Sequence, residues 1–378
     1  MSNGNWNIRL IRSGSSHWHP KNKLHKQIMV LMSGGVDSSV SAYLLKEAGW
    51  DVLGITMKIP VCCETNERGC CGADAAEICS QLDIPHYYVD VTDPFEEFII
   101  KPFRHAYARG HTPNPCADCN THLKFSLLWD FIRERFVINY LATGHYARLP
   151  RTDGTVFLGK AKDKAKDQSY FLYGISPEKL QSIIFPVGDL TKEETRLIAA
   201  ESNLSVAEKS ESMELCFAGE GDYRQALTSD LTCRPGDITD MQGNKISEHK
   251  GIANYTLGQR QGIGYAGGEP LYVGMIDADN NTIALGTRDE VSSRTVRISQ
   301  VNILIPKDFT AGKRLFGKIR SYGEPADCEI VDIGQNRATV EFDTPQFAPC
   351  PGQRLVLYNS DDNIVAGGTI SLDSAGQK

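Results

Sequence analysis

The sequence predicts an α/β protein in which a parallel sheet, covered by helices on both faces, is followed by two small β-rich domains. In the first half of the chain, short apolar runs alternate with stretches of helical spacing, which is typical of strand–helix–strand units. Beyond about residue 210, short β-like runs are separated by turns rich in Gly, Asn and Asp. A length of 378 residues accommodates two or three domains.

The first predicted element is a buried strand over residues 27–32, because this run is compact and apolar. The string SGGVDSS at residues 33–39 leads into a helix over residues 40–48, for which Gly49 provides a C-terminal cap. The same patterns predict the elements that follow. They are strands over residues 51–57, 86–91 and 139–143, and helices over residues 73–82, 94–109 and 120–135.

The predicted domain boundaries follow changes in composition. Residues 1–26 are polar and are expected to form a flexible leader. The α/β domain is placed at residues 27–213, a central β-rich domain at 214–290 and a last β-rich domain at 291–378.

Composition and charge exclude several classes of protein. Apolar residues make up 41% and charged residues 23%, which is ordinary for a globular protein. A net charge of −7 excludes an overall basic nucleic-acid coat, although a local basic patch stays possible. No apolar run is long enough to span a bilayer, and the first 26 residues are too polar for a signal peptide. A cytoplasmic protein without membrane contact is expected.

The string SGGVDS lies between a predicted strand and a predicted helix. Glycines let the backbone approach an anion, and the N–H groups and hydroxyls at a helix start point towards it. A bare Ser-Gly-Gly turn more often just caps a helix, but the full string in this place favours a phosphate-binding loop. It lacks the Gly-Lys-Ser/Thr ending of kinases and GTPases.

Eleven cysteines, an odd number, indicate catalysis, metal binding or core packing in a reducing compartment. Cys119 falls at the start of the predicted helix, where the helix dipole would stabilise a thiolate. Together with Cys116 it forms a CxxC pair, for which a zinc half-site or two packed thiols are equally good explanations. Cys216, taken alone, is more typical of a buried core thiol.

The other cysteines give weaker indications. Cys62, Cys63, Cys70 and Cys71 form adjacent pairs that do not match the usual CxxC spacing of zinc sites, so a structural or incidental role is favoured. Core positions are expected for Cys79, Cys233, Cys328 and Cys350.

Seven motifs together resemble one family. SGGVDSS resembles the PP-loop of the N-type ATP pyrophosphatases, with Ser33, Gly35, Asp37 and Ser38 at the matching positions. TPNPCADCN, GHYAR, KDQSYFL, ELCF, NYTLGQRQGIG and EPLYV then follow in the order found in the tRNA-specific 2-thiouridylases. The resemblance extends over residues 28–370 and includes a PGQ string at 351–353. It implies a Rossmann-like PP-loop domain and two β-rich domains, the last of them a β-barrel.

The resemblance also implies an activity. The C2 oxygen of the wobble uridine, position 34 of tRNA, would be adenylated by ATP with Mg, and sulfur from a cysteine persulfide would then replace it. The products would be 2-thiouridine, AMP and pyrophosphate. The implied partners are tRNA and a persulfide-donating sulfur carrier or cysteine desulfurase, and the chain is expected to act as a monomer.

The resemblance assigns roles residue by residue. Cys119 would be the nucleophile and Cys216 would bear the persulfide. The implied ATP-binding residues are Leu31, Met32, Ser33, Gly34, Gly35, Val36, Asp37, Ser38, Met57 and Gly144. The implied tRNA-binding residues are Asn114, Pro115, Cys116, Lys166, Asp167, Gln168, Arg320 and Ser321, and the site-shaping residues are His145 and Gln353. A run from residue 148 to 166, with six basic residues against two acidic ones, is interpreted as a tRNA-facing loop.

Two departures from the family leave alternatives open. Many members have Asp where this chain has Cys116, and Cys116, Cys119 and Cys216 could together ligate a [4Fe–4S] cluster that delivers the sulfur. Persulfide transfer is the favoured route. Arg320-Ser321 stands where many members have Arg-Tyr. The competing functions are a PP-loop enzyme that uses ammonia and an RNA- or metal-binding module without catalysis.

Overall fold

The computed structural model describes residues 6–14, 18, 26–60, 71–210, 215–217, 226–227, 234–265 and 268–371. The chain divides into two compact units. The first unit consists of Met1–Phe98 and Asp118–Gly221, and the second of Ile99–Ala117 and Asp222–Lys378. Cys62, Cys63, Cys70 and Cys233 lie outside the described residues, as does the side chain of Cys71. The predicted boundaries after residues 26, 213 and 290 stay predictions.

A six-stranded sheet with the order β1-β4-β3-β2-β5-β8 forms the centre of the first unit. The strands are β1 (Arg9–Ser13), β2 (Gln27–Leu31), β3 (Asp51–Lys58), β4 (His86–Asp90), β5 (Tyr140–Thr143) and β8 (Ile183–Ile184), with β6 (Arg151–Thr152) and β7 (Thr155–Val156) in a separate hairpin. All neighbours are parallel except β1, which pairs antiparallel with β4. The parallel sheet therefore has all its carboxyl ends at one edge, where α/β proteins bind ligands.

The prediction of a flexible leader is wrong for residues 9–13. They form β1, in register with β4 from Arg9 opposite Asp90 to Ser13 opposite His86. Arg9 also forms an ion pair with Asp90 at 3.4 Å. Pairing between segments so far apart in sequence leaves no local signal, which is why this strand was missed.

Helices flank the strands as the alternation predicts. They are α1 (Val36–Glu47), α2 (Cys71–Gln81), α3 (Thr92–Phe95), α4 (Lys101–Ala108), α5 (Pro115–Asp118), α6 (Trp129–Phe136) and α7 (Lys192–Glu201), with π-helical segments Glu96–Ile100 and Cys119–Leu128. Short 3₁₀ segments are Ser169–Leu172, Pro177–Ser182, Ile252–Asn254 and Pro306–Asp308. Helix α1 ends as expected, since Gly49 has a φ of +79° and donates its N–H to the Lys46 carbonyl.

The second unit is mainly β-structure. A four-stranded sheet has the order β10-β9-β12-β11, and a closed six-stranded barrel follows it. The strands are β9 (Gly236–Asp240), β10 (Lys245–His249), β11 (Tyr272–Asp277), β12 (Thr282–Gly286), β13 (Ser292–Ile303), β14 (Arg314–Lys318), β15 (Ala326–Gly334), β16 (Arg337–Phe347), β17 (Arg354–Tyr358) and β18 (Ile364–Ser371). The predicted fold class is confirmed, including the final barrel. Across the described ranges, we find no helix with the length and apolar character needed to cross a membrane.

Candidate active site

The phosphate loop lies at the carboxyl end of β2, and hydrogen bonds between two serines connect its two ends. The Ser33 backbone N–H donates to Ser38 Oγ at 3.2 Å, the two hydroxyl oxygens are 3.1 Å apart, and Ser38 Oγ donates to the Gly35 carbonyl at 3.1 Å. Gly34 has a φ of +71°, which favours glycine. These bonds hold a concave backbone at the N-terminus of α1, where N–H groups and the helix dipole favour an anion.

Helix α1 begins at Val36, four residues before the predicted start. The hydroxyls of the following serines bond back to carbonyls of the first turn, since Ser39 Oγ donates to the Gly35 carbonyl at 2.9 Å and Ser41 Oγ to the Asp37 carbonyl at 2.7 Å. Asp37 therefore belongs to the first helical turn rather than to a loop before it.

Residues at the ends of neighbouring strands border the loop. Met32 is buried, and its N–H and carbonyl bond to the Ile55 carbonyl and Thr56 Oγ1 of β3. Leu31 ends β2 and Met57 lies near the end of β3, both half-buried. The structure thus brings the predicted ATP-binding residues of the three segments to one edge of the sheet.

Gly144 packs directly against the start of α1. A Cβ at this position would lie 2.6 Å from the Ser38 backbone nitrogen and 2.7 Å from the Asp37 carbonyl carbon. Only glycine allows this approach. The segment after β5 is thereby fixed beside the phosphate loop, and contact of Gly144 with a nucleotide stays a prediction.

The Asp37 carboxylate accepts two hydrogen bonds that were not predicted. Lys192 Nζ and Tyr146 OH lie 2.7 Å and 3.0 Å from Asp37 Oδ1. Tyr146 OH is also 3.0 Å from Thr195 Oγ1. The Lys192 side chain is only 8% exposed, so its charge is held against Asp37 rather than in water.

A capping box fixes the position of Lys192. Thr191 Oγ1 accepts from the Glu194 N–H at 3.2 Å, and Glu194 Oε2 accepts from the Thr191 N–H at 2.6 Å. Lys192 is therefore the first residue of α7, and its backbone N–H donates to Asp163 Oδ2 at 3.0 Å. The Thr-x-x-Glu pattern could have located this helix start, but not the direction of the lysine.

A second lysine reaches the loop. Lys209 Nζ donates to the Gly34 carbonyl at 2.9 Å and also contacts Asp74. Lys192 and Lys209 thus place two positive charges at a loop whose shape favours phosphate.

His145 is a half-buried residue beside Gly144. Its Nδ1 is 2.7 Å from Thr143 Oγ1, and its ring contacts Phe125 and Phe185. Desolvation, followed by the nearby Lys124 charge, holds the pKa of His145 well below its ordinary value. The lowered pKa favours the neutral ring near pH 7, which fits a residue that shapes the site.

The predicted tRNA loop is internally bonded. Asp167 Oδ1 accepts from the Ala161 and Ser169 N–H groups at 3.0 and 3.2 Å, and Gln168 Oε1 accepts from the Tyr146 N–H at 3.0 Å. Lys162 pairs with Glu194 at 2.9 Å. Asp167 and Gln168 thus organise the loop, while half-buried Lys166 lies beside them. Their contact with tRNA stays a prediction.

In the structure, the helix that contains Cys119 begins earlier in the sequence than predicted. Helix α5 begins at Pro115, with Asn114 Oδ1 accepting from the Ala117 N–H at 3.1 Å, and Cys119 begins the π-helical segment that follows directly. Cys119 therefore lies beyond the first four N–H groups of this helix. The helix dipole acts most strongly at those four groups. The prediction that it opens a helix is wrong; Cys116 occupies the first turn instead.

The thiols differ in exposure. Cys119 is buried at 7% exposure, whereas Cys116 and Cys216 are exposed. Cys216 precedes Phe217, a buried ring that packs edge-on against Phe95 at 5.9 Å. The packing of Phe217 thus holds Cys216 in place. Because its own side chain is exposed, Cys216 is not the buried core thiol expected from this residue taken alone. Within the described part of the chain, no three His, Cys, Asp or Glu side chains are arranged to hold a metal ion. The cluster alternative stays a prediction without geometric support.

In the second unit, the barrel holds the segment before Cys116. Gln353 Nε2 donates to the Thr112 and Pro113 carbonyls at 3.1 Å each, and the Thr112 N–H donates to the Pro351 carbonyl at 2.9 Å. Asn114 Nδ2 lies 3.4 Å from Gln353 Oε1. Gln353 therefore holds this segment in place, and its role in the site stays a prediction of the family resemblance.

We expect Gly352→Ala to displace the Thr112–Asn114 segment and to slow the thiolation that the family resemblance implies by about tenfold or more, with little change in tRNA binding. A Cβ there would lie 2.9 Å from the Thr112 carbonyl oxygen, and Gly352 has a φ of +91°, so the Thr112–Asn114 segment must shift. Single-turnover thiolation and tRNA binding would be measured, with Gly312→Ala as control. Gly312 has a similar φ of +80° and no neighbour within 4 Å. Equal behaviour of the two variants would contradict the role of this contact.

The fold and these contacts define a nucleotide-binding α/β protein with a phosphate loop at the carboxyl edge of its sheet and a β-barrel at the end of the chain. Its sequence matches the tRNA methyl transferase HUP domain over residues 26–220, the tRNA methyl transferase PRC-barrel domain over 224–287 and the aminomethyltransferase beta-barrel domain over 293–370.

Curated relatives name the family. The chain is 41% identical over 357 residues to the tRNA-specific 2-thiouridylase MnmA of Acetivibrio thermocellus, covering 91% of this chain and 99% of that protein. It is 42% identical over 352 residues to MnmA 1 of Syntrophus aciditrophicus, covering 92% and 93%. The chain belongs to the tRNA-specific 2-thiouridylase family, which confirms the resemblance seen in its motifs.

One solved structure aligns with part of the chain. The U34-tRNA thiolase NcsA from Methanococcus maripaludis, described with its [4Fe-4S] cluster, aligns at 21% identity and a TM-score of 0.33, covering 52% of this chain and 62% of that one. At this level of likeness, nothing about its cluster carries over to this chain.

Proposed function

We propose that this chain is an ATP-dependent tRNA 2-thiouridylase that converts the wobble uridine of tRNA to 2-thiouridine. The observation that best supports this function is the phosphate loop at residues 33–38, where Asp37 accepts hydrogen bonds from Lys192 and Tyr146. The loop occurs in a chain that belongs to the 2-thiouridylase family. The loop and Lys209 would hold the phosphates of ATP. Asp37 Oδ2, which accepts no hydrogen bond from the described residues, would face the Mg that accompanies ATP.

The first step is adenylation. The C2 oxygen of the uridine attacks the α-phosphorus of ATP, pyrophosphate leaves, and the oxygen becomes part of an AMP leaving group. Charge develops on the phosphates during this step, and the N-terminus of α1 together with Lys192 and Lys209 would stabilise it. Neutral His145 would pack beside the adenylate without exchanging a proton.

The second step transfers sulfur. A persulfide on Cys216 attacks C2 of the activated uridine and AMP leaves, so the base is joined to Cys216 through two sulfurs. The Cys119 thiolate then attacks the Cys216 sulfur, which releases 2-thiouridine and forms a Cys119–Cys216 disulfide. A cellular thiol reduces this disulfide. Both cysteines lie in the first unit, and exposed Cys216 fits the role of receiving sulfur from a donor protein.

The remaining assignments are those that the family resemblance implies. Asn114, Pro115 and Cys116 would contact the target base, and Lys166, Asp167, Gln168, Arg320 and Ser321 would contact tRNA. We infer a persulfide-donating sulfur carrier or a cysteine desulfurase as the partner, a cytoplasmic location and a monomeric enzyme.

The purified protein, an unmodified tRNA transcript, ATP with Mg and a persulfide donor test the proposal. We expect 2-thiouridine in the digested tRNA by mass spectrometry, with AMP and pyrophosphate released in equal amounts and only when tRNA is present. ATP cleavage without tRNA, or incorporation of nitrogen from ammonia instead of sulfur, would contradict it.

A further inference from the structure

Two arginines of the second unit stack on one phenylalanine. The guanidinium carbons of Arg288 and Arg320 lie 4.5 Å and 5.6 Å from the centre of the Phe347 ring. The Tyr272 ring packs edge-on against Phe347 at 5.1 Å. Arg288 lies between β12 and β13, Arg320 just after β14, and Phe347 at the end of β16. We call these four residues the arginine–phenylalanine patch.

The patch has excess positive charge. Among the described residues, no carboxylate forms an ion pair with Arg288 or Arg320. Glu290, close in sequence to Arg288, turns instead to the Thr287 N–H and hydroxyl at 2.8 and 2.9 Å. A cation–π contact stabilises an exposed arginine only weakly, and two like charges on one ring repel each other. An anion that binds both guanidinium groups would relieve this repulsion.

The patch is also built to hold its shape. Arg320 Nη2 donates to the Ala348 carbonyl at 2.8 Å. Gly258, from the NYTLGQ string, has a φ of +82°, and a Cβ there would lie 3.0 Å from the Phe347 ring and 3.2 Å from Arg320 Nη2. The glycine of this string therefore lets the backbone pack against the patch, which gives a motif of the central domain a structural role.

The patch adjoins the segment predicted to contact the target base. Arg320 bonds to the Ala348 carbonyl, and the Thr112 N–H donates to the Pro351 carbonyl three residues further along the chain. This short stretch links the patch to the Thr112–Asn114 segment held by Gln353. A nucleic acid strand that places a base at Asn114 would pass close to the patch.

We propose that Arg288 and Arg320, supported by Phe347 and Tyr272, bind neighbouring phosphates of the tRNA strand that carries the target uridine. This inference rests on the proposed function and adds Arg288, Phe347 and Tyr272 to the tRNA-binding surface. Stacking leaves the N–H edge of the Arg288 guanidinium available, and that edge matches two phosphate oxygens at once; Arg320, which also bonds to Ala348, adds its remaining N–H groups. Both guanidinium groups are close to the same ring centre, so both lie within the span of adjacent nucleotides.

Binding of unmodified tRNA at several KCl concentrations tests the proposal. We expect Arg288→Ala to weaken binding about tenfold at low salt and to reduce the slope of log affinity against log salt by about one. Arg288→Lys keeps the positive charge but lacks the planar guanidinium group. It should therefore restore the slope of log affinity against log salt but only part of the affinity. Phe347→Leu should lower affinity while the slope stays nearly unchanged, because both charges remain.

Arg314→Ala is the matched control. Arg314 lies on the same barrel and forms a bidentate ion pair with Asp343. Loss of the Arg314 side chain should therefore leave the salt slope unchanged. Thermal unfolding shows whether each variant is folded. If wild-type protein binds and thiolates tRNA while folded Arg288→Ala matches it in affinity and slope, this inference is wrong and the proposed function stands. If wild-type protein neither binds nor thiolates tRNA, the proposed function itself fails.

Discussion

Replacing Lys192 with methionine is expected to slow tRNA-dependent pyrophosphate release by about 10²–10³-fold, the range seen when one preorganised donor is removed from a developing charge. The lysine is nearly inaccessible to water and lies 2.7 Å from Asp37 Oδ1. Without it, Tyr146 alone holds the carboxylate at the phosphate loop. Pyrophosphate release would be followed in a coupled assay with saturating tRNA.

Comparison with other variants separates a specific effect from loss of folding. Lys192→Arg keeps the charge and should recover part of the rate. Lys179→Met is the control, because Lys179 forms a similar ion pair with Asp130 at 2.8 Å in the same unit but away from the loop. If Lys192 acts through Asp37, adding Lys192→Met to Asp37→Asn should cost little more. A native rate in folded Lys192→Met protein would exclude this role.

The elements that the sequence predicts well are those with a local pattern. The strands placed at residues 51–57 and 86–91 are observed as Asp51–Lys58 and His86–Asp90, because a buried parallel strand is a short apolar run. The helix around Cys119 was placed too late, since its start depends on the Asn114 side chain and on Pro115, which is favourable in a first turn.

The candidate site likewise contains residues that a local sequence pattern predicts and residues that it does not. The phosphate loop is one continuous string, so its place between a strand and a helix is predictable from the sequence, whereas the hydrogen bonds between Ser33 and Ser38 and the helix start at Val36 are not. Lys192 and Lys209 were missed because they reach the loop from positions 155 and 175 residues further along the chain. No spacing rule connects such positions. Gln353 was assigned only through the family resemblance, and its bonds to Thr112 and Pro113 span 241 and 240 residues.

Cys119→Ser and Cys216→Ser are each expected to reduce 2-thiouridine formation by at least about a thousandfold, since each thiol makes or breaks a covalent bond in the proposed sequence. Both variants should still bind tRNA and release pyrophosphate, because adenylation precedes sulfur transfer. Cys79→Ala is the control. Burial raises the pKa of Cys79 to about 12, so its thiolate is negligible near neutral pH and its loss should not affect chemistry.

The two variants should stop at different points. With Cys119→Ser, the Cys216 persulfide can still attack the uridine, and a tRNA joined to Cys216 through two sulfurs should accumulate; a thiol should release it as 2-thiouridine. With Cys216→Ser, no such adduct can form, and adenylated tRNA should accumulate after pyrophosphate release, without sulfur incorporation. Mass spectrometry of the intact protein–tRNA adduct, with an iron assay on the same sample, distinguishes persulfide transfer from the cluster route. Normal 2-thiouridine from Cys216→Ser would remove that cysteine from the mechanism, and thiolation that requires bound iron would favour the cluster.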